Sequence, residues 1–289
     1  MRTTALLLVT AVAACQAGDV DLGSAEGAYE ETAPSLWCGT VEPSANLKLA
    51  AELAASRIPS AHQDARRGAQ IAVHVHVIQR GRGAANGEVP DDMIRHQLAV
   101  LDAAYAPVGF TFDLASIDRT TSATWFAMDP GSEAEASAKA ALRRGSARDL
   151  NLYLAAPGNG FLGYATFPAQ YTAAPKNDGV VLLHATLPGG AAAPYNLGDQ
   201  AVHEVGHWLG LYHTYQDDCG GNGDFVDDTA ASSAPAFGCP MGRSTCGDGH
   251  ADPVRNYMDR SDDLCMNGFT AGQATRINTQ FNAYRRSVR

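Results

Sequence analysis

The stretch His203-Glu204-Val205-Gly206-His207-Trp208-Leu209-Gly210-Leu211-Tyr212-His213 constrains this chain more than any other. On a helix, His203 and His207 stand one turn apart and project from the same side, so both imidazoles can reach one ion. Gly210 lets the chain leave the helix in a conformation that residues with a Cβ avoid, which swings His213 back toward the same ion. Three neutral nitrogens with a fourth position open form the donor set of a catalytic zinc rather than a structural one. Glu204 lies between the two helical histidines, where its carboxylate can reach a water at the open position without binding the metal. It can take that water's proton as a carbonyl is attacked and deliver it to the leaving amine. The chemistry this spells is peptide hydrolysis, and the extended pattern is far more specific than its opening HExxH.

The remainder of the chain narrows where such chemistry takes place. A net charge of −10 and a 45% hydrophobic share over 289 residues fit a globular protein with a core and argue against nucleic acid as a partner, which would need clustered Lys and Arg. Residues 1–14 combine Arg2 with an apolar run from Ala5 to Ala14, the layout of a signal peptide and too short to span a bilayer. Val12-Ala13-Ala14-Cys15 matches a lipobox, in which Cys15 becomes a lipidated first residue and attaches the protein to a membrane. The other reading is an ordinary leader cut at a neighbouring small residue. Both export the protein, to the medium or the cell surface, where disulfides are permitted.

Residues 19–36 are acidic and poor in large apolar side chains, as in a tether that does not fold by itself. A short helix is predicted at 45–56, followed by a basic linker ending at Gly68. From Ile71 the texture is mixed α/β. Alternation marks strands at 71–78 and 110–117, helical spacing marks 90–105 and 132–142, and further strands fall at 150–156, 162–168 and 179–184. Beyond His213 the chain is loop-like until Thr270 caps a final amphipathic helix. His74 and His76 share one strand face but lack a third ligand nearby, so a structural role is expected for them, as for His62, His96, His184 and His250.

The HExxHxxGxxH pattern resembles the metzincins, and Asn256-Tyr257-Met258-Asp259 supplies the methionine turn which that resemblance implies beneath the zinc. GHWLGLYHTY (206–215), GDFVDDT (223–229), GCP (238–240), DPVRNYMD (252–259), DDLC (262–265) and FTAGQ (269–273) narrow the resemblance to the pappalysin family, over about residue 70 to the C-terminus. The resemblance implies an α/β (α+β) metzincin-type fold: an N-terminal subdomain (68–213) with a twisted, mostly parallel sheet, a backing helix and the active-site helix, and a small irregular C-terminal subdomain (214–289), disulfide-linked and ending in a helix. Four clustered cysteines allow three pairings by sequence alone. The resemblance implies Cys219–Cys246 and Cys239–Cys265, each closure removing on the order of 3 kcal/mol of unfolded-chain freedom. It also implies a calcium ion on Asp224, Asp227 and Thr229, hard oxygen donors in a glycine-rich loop, against the plainer reading of a solvated acidic loop.

Cys38 stands apart from that cluster, in Cys38-Gly39-Thr40. In the small microbial members of the family a prosegment cysteine in such a context occupies the water's place on the zinc, so residues 15–67 are read as a tether and inhibitory propeptide of a latent precursor. A disulfide between Cys38 and an unlipidated Cys15 is the alternative. Cleavage is expected in the Arg-rich stretch from Arg57 to Arg67.

One position departs from the family pattern: Arg260 stands two residues after Met258, where a tyrosine that hydrogen-bonds the developing oxyanion is usual. An arginine can stabilise a negative oxygen, or its side chain can turn outward. Asp262 and Asp263 would favour Arg or Lys after the scissile bond, and the strand at 162–168 resembles the edge on which metzincins lay an extended peptide. The expected activity is therefore that of a zinc endopeptidase on protein or peptide substrates. A catalytically weak zinc-dependent binding protein on the same scaffold is the alternative, against which Glu204 argues, since a binder needs no general base. A zinc hydrolase of small molecules fits the edge strand less well.

Overall fold

Runs of β-branched and leucine side chains build a five-stranded sheet from β1 (Ala69–Gln79), β2 (Phe110–Thr121), β3 (Leu150–Ala155), β4 (Gly163–Ala165) and β5 (Val180–Leu183). This computed structural model describes residues 38–59 and 68–286, all within one compact unit, Ala33–Arg289. The signal segment, Cys15, the tether and residues 60–67 of the expected processing stretch lie outside the described residues. The strand order is β2-β1-β3-β5-β4. Four strands run parallel and β4 closes one edge antiparallel to β5. The predicted strand at 162–168 is shorter than expected: Phe167 leads directly into a turn of 3-10 helix at Pro168–Gln170, where proline removes the amide that a longer ladder would need.

The helices are α1 (Ala45–Ser56), α2 (Asp91–Tyr105), α3 (Ala123–Phe126), α4 (Glu133–Leu142), α5 (Asp199–Trp208) and α6 (Ala271–Tyr284). Ile94, Leu98, Leu101 and Tyr105 form the apolar stripe of α2, which joins Val73, Val75 and Leu152 of the sheet and Val202 and Val205 of α5 in the main core. The Tyr105 hydroxyl donates to Val202 O at 2.8 Å, tying the backing helix to the helix that carries the histidine pattern. His76 is held between Asp118 and Asn151 and stacks on Tyr153, and His74 bonds Ser116. Both are structural, as expected.

After His213 the chain is irregular and is closed by the disulfides Cys219–Cys246 and Cys239–Cys265, the interleaved pairing. α6 then packs back against the 3-10 turns at Ala106–Val108 and Pro168–Gln170. Thr270 and Gln273 form a capping box at its start. At its end the buried Arg285 donates to Trp208 O at 3.0 and 2.8 Å and pairs with Asp178, fixing the end of α5. No helix among the described residues is long and apolar enough to cross a membrane.

Candidate metal centre

Residues 200–208 of α5 are all buried, so its histidines lie in the interior where α5 packs beside β4. Gly206 has no side chain because Met258 Sδ packs where a Cβ would be, bringing the methionine turn directly under the helix. That turn is pinned by a reciprocal amide pair, Asn256 with Gln273, at 2.8 and 3.0 Å. Gly210, at φ +101°, ends the helix and redirects the chain so that His213 faces His203 and His207.

The ring nitrogens define what this cluster can hold. His203 Nδ1 bonds Tyr257 O at 2.7 Å, His207 Nδ1 bonds Leu211 O at 2.8 Å, and His213 Nδ1 bonds the Glu42 carboxylate at 3.2 Å. Carbonyl and carboxylate oxygens only accept, so each Nδ1 carries the proton and each Nε2 presents a lone pair. His207 Nε2 lies 3.1 Å from the Nε2 atoms of both other rings. Lone pairs that close repel one another unless a cation sits among them. Burial holds all three imidazoles below their ordinary pKa, His207 at about 4, and therefore neutral.

Cys38 Sγ completes the set: the four donor atoms lie within 4.8 Å of one another, with sulfur 3.6 Å from His207 Nε2. A tetrahedral zinc with ordinary bond lengths requires about 3.3 Å between nitrogens and about 3.6 Å between sulfur and nitrogen. The separations from His207 Nε2 match these values, and the widest of the set reaches 4.8 Å, so the donor types and their convergence suit zinc.

Glu204 is fully buried, which raises its pKa to about 7. Its Oε1 accepts from Gln200 Nε2 at 2.7 Å, and its Oε2 accepts from Thr40 Oγ1 at 2.8 Å. Thr40 Oγ1 in turn accepts from Ala165 N at 2.8 Å, while Gly39 N donates to Gly163 O at 2.8 Å. The Cys38–Thr40 backbone thus lies along edge strand β4, making a parallel bridge to Gly163. Behind it, α1 packs on α6, where Glu52 forms a bidentate pair with Arg276 at 3.1 and 2.7 Å.

Thr40 and Tyr215 are legible in the sequence only as context, within Cys38-Gly39-Thr40 and GHWLGLYHTY, and nothing in the sequence singles out Glu42 or Glu52. Gln200 was legible in principle, standing one helical turn before Glu204 on the same face.

Arg260 is not turned away from the site. Its guanidinium lies over the Tyr215 ring, 5.3 Å from the centroid, and its charge acts on Cys38, Glu204 and all three imidazoles. Asp263 is buried and accepts from Leu197 N at 2.7 Å, bracing the loop ahead of α5. Asp262 bonds the Tyr195 hydroxyl. Asp224, Asp227 and Thr229 line one cavity together with Thr214 and Glu52. Asp224 Oδ2 and Thr229 Oγ1 are buried there facing one another with no other hydrogen-bond partner among the described residues, and desolvation pushes Asp224 up to about 7. An oxygen-lined cavity with orphaned acceptors suits a hard cation. Asp228 is already engaged, accepting from Gly272 N at the start of α6.

Comparison with known proteins agrees with this geometry. The family described as "Pregnancy-associated plasma protein-A" (Peptidase_M43) matches residues 159–282. An extracellular metalloprotease of Pyricularia oryzae is 44% identical over 86% of this chain and 89% of that protein. One of Sordaria macrospora is 41% identical over 99% of this chain and 98% of its own length. Among solved structures, mature mirolysin of Tannerella forsythia in complex with a cleaved peptide superposes with a TM-score of 0.65 at 28% identity, covering 75% of this chain and 95% of that one. A promirolysin point mutant from the same organism gives a TM-score of 0.72 at 27% identity, covering 86% of this chain and 94% of that one.

Proposed function

The chain belongs to the pappalysin family (Peptidase_M43) of extracellular zinc metalloproteases, and on that premise we propose that it is an endopeptidase exported as a latent precursor and held inactive by its own residues 38–59. The observation that carries this reading is the donor set: three Nε2 atoms and Cys38 Sγ within 4.8 Å, with Glu204 beside them. His203, His207 and His213 would hold the zinc, and bound zinc supplies a Lewis acid that acidifies water and polarises the scissile carbonyl. Glu204 is the base. Its burial and its raised pKa let it hold a proton between attack and departure of the amine, and Gln200 keeps one oxygen oriented throughout.

Latency follows from what residues 38–40 occupy. The sulfur takes the fourth donor position, the Thr40 hydroxyl occupies the base, and the backbone of Gly39 fills the edge strand on which a substrate would pair. The larger share of this chain covered by promirolysin than by mature mirolysin supports the presence of a propeptide; we place the propeptide's end at residue 67 and the start of the catalytic domain at residue 68, with subdomains meeting at His213. Residues 1–14 serve as the export signal, and mass spectrometry of the mature N-terminus distinguishes a lipidated Cys15 from simple cleavage. A preference for Arg or Lys after the scissile bond rests on Asp262, because Asp263 is committed to the backbone. A structural calcium on Asp224, Asp227 and Thr229 steadies the irregular subdomain.

The test is casein cleavage by the processed enzyme. It is expected to disappear on zinc chelation and in Glu204→Ala, with zinc still bound in the variant. Undiminished cleavage by Glu204→Ala would refute the assignment.

A further inference from the structure

Arg260 brings a positive charge into this cluster, where it acts on the Glu204 carboxylate without an ion-pair contact. Among the described residues it makes no salt bridge, and its Nε is buried without a hydrogen-bond partner. What holds it is an aromatic face. Its guanidinium carbon sits over the Tyr215 ring at 5.3 Å, and that ring stacks on the His213 imidazole at 4.7 Å with only 16° between the planes. The guanidinium is therefore no farther from a zinc-binding ring than those two distances together. Tyr215 is itself fixed by the turn that follows His213, where Gln216 N bonds His213 O at 3.0 Å. The Tyr215 hydroxyl is buried and makes no hydrogen bond among the described residues, so the ring is the part of that side chain engaged at the site.

Arg260 is half-buried with its Nε fully enclosed, and a partly desolvated cation without an ion-pair contact has as its natural complement an anion present only part of the time. In the latent form the Arg260 charge acts on Cys38, whose sulfur stands at the fourth donor position. During turnover that anion is the carbonyl oxygen of the substrate. When water attacks the carbonyl carbon, Glu204 takes one water proton, the new C–O bond forms, and the carbonyl π pair moves onto oxygen. When the intermediate collapses, that pair re-forms C=O, the C–N bond breaks, and Glu204 returns its proton to the amine. Arginine keeps its proton throughout and can donate hydrogen bonds from a planar fork without becoming an acid.

Resting on the endopeptidase reading above, we propose that Arg260 is a catalytic residue donating to this oxyanion, and that Tyr215 is its positioning residue, holding the guanidinium by the ring face. A rigid, permanently charged donor thereby does what a mobile neutral hydroxyl would otherwise do. Removal of one oxyanion donor lowers turnover on the order of a hundredfold to a thousandfold.

The experiment uses the processed, zinc-loaded enzyme and a phosphinic peptide, which presents tetrahedral anionic oxygens. Arg260→Gln is expected to lower kcat about a hundredfold with KM changed by less than about threefold. It should also weaken phosphinic-peptide binding, measured by calorimetry, by a similar factor while zinc content is unchanged. Arg260→Lys, which keeps the charge but not the planar stack, should fall between wild type and Gln. Tyr215→Leu should lose at least about tenfold in kcat, and Tyr215→Phe, which keeps the ring, should rescue most of that loss. If Tyr215→Leu loses zinc, the Arg260 pair decides alone. The proposal is overturned if Arg260→Gln leaves both kcat and phosphinic-peptide affinity within threefold of wild type, or if Tyr215→Phe is as damaged as Tyr215→Leu. A zinc-loaded wild type that cleaves no peptide would instead sink the endopeptidase reading itself.

Discussion

Replacing Glu52 by Gln isolates the helical anchor of the prosegment from its metal-binding end. Glu52 and Arg276 make two charge-assisted hydrogen bonds, at 2.7 and 3.1 Å, with side-chain exposures of 27% and 7%. A solvent-exposed pair would contribute at most about 1 kcal/mol, whereas breaking a fully buried one costs about 3–5 kcal/mol. This pair is intermediate. Arg276 also keeps other partners after the change, Gly210 O at 2.9 Å and the Tyr212 ring at 4.8 Å, so its charge is not left bare. A loss of about 2 kcal/mol is the reasoned value, and it multiplies the population with a lifted prosegment about thirtyfold. If lifting precedes cleavage, the purified full-length precursor carrying Glu52→Gln should convert to the processed form about thirtyfold faster on a gel time course. Its effect should add to that of Cys38→Ala within about 0.5 kcal/mol, since the two residues anchor different elements. A folded Glu52→Gln precursor that converts within twofold of the wild-type rate would refute the two-anchor reasoning.

Other consequences can be checked independently. Cys38→Ala should self-process faster than wild type and leave a precursor that cleaves peptides before processing; unchanged latency on a fluorogenic substrate would contradict the switch. Asp199 is pushed up to about 7, chiefly by burial and then by Asp263, so the folded state holds a proton there that the unfolded chain releases near its ordinary value. Between about pH 4 and 7 the native state binds more protons, so this group's contribution falls as pH rises and reaches its most unfavourable level above pH 7. Asp199→Asn should accordingly stabilise the fold more at pH 8 than at pH 5, by no more than about 4 kcal/mol at pH 8, seen as a larger rise in Tm there, and equal Tm shifts at the two pH values would count against it. A calcium chelator should lower Tm, calcium but not zinc should restore it, and Asp224→Ala should show neither response.

Much of the zinc helix was legible because its information is local. His203, Glu204 and His207 are related by one helical turn, and Gly210 announces its own backbone conformation. The helix boundaries were equally local: Ser44, Ser132 and Thr270 cap helices whose apolar spacing sets their length. The contacts that keep the site shut were not legible. Thr40 with Glu204, Glu42 with His213 and Glu52 with Arg276 are each separated by more than 160 residues, and they depend on the register with which the prosegment lies along β4. Asp263 shows the same limit from the other side. In sequence it is one of two acidic neighbours suited to a basic substrate, but folding buries its carboxylate against the Leu197 amide.

The central claim is that the prosegment thiol closes a three-histidine zinc site, and X-ray absorption at the zinc edge of the intact precursor tests it most directly. The account predicts one sulfur at about 2.3 Å with three nitrogens at about 2.0 Å, and loss of the sulfur shell after processing. A precursor whose zinc shows only nitrogen and oxygen neighbours would contradict it.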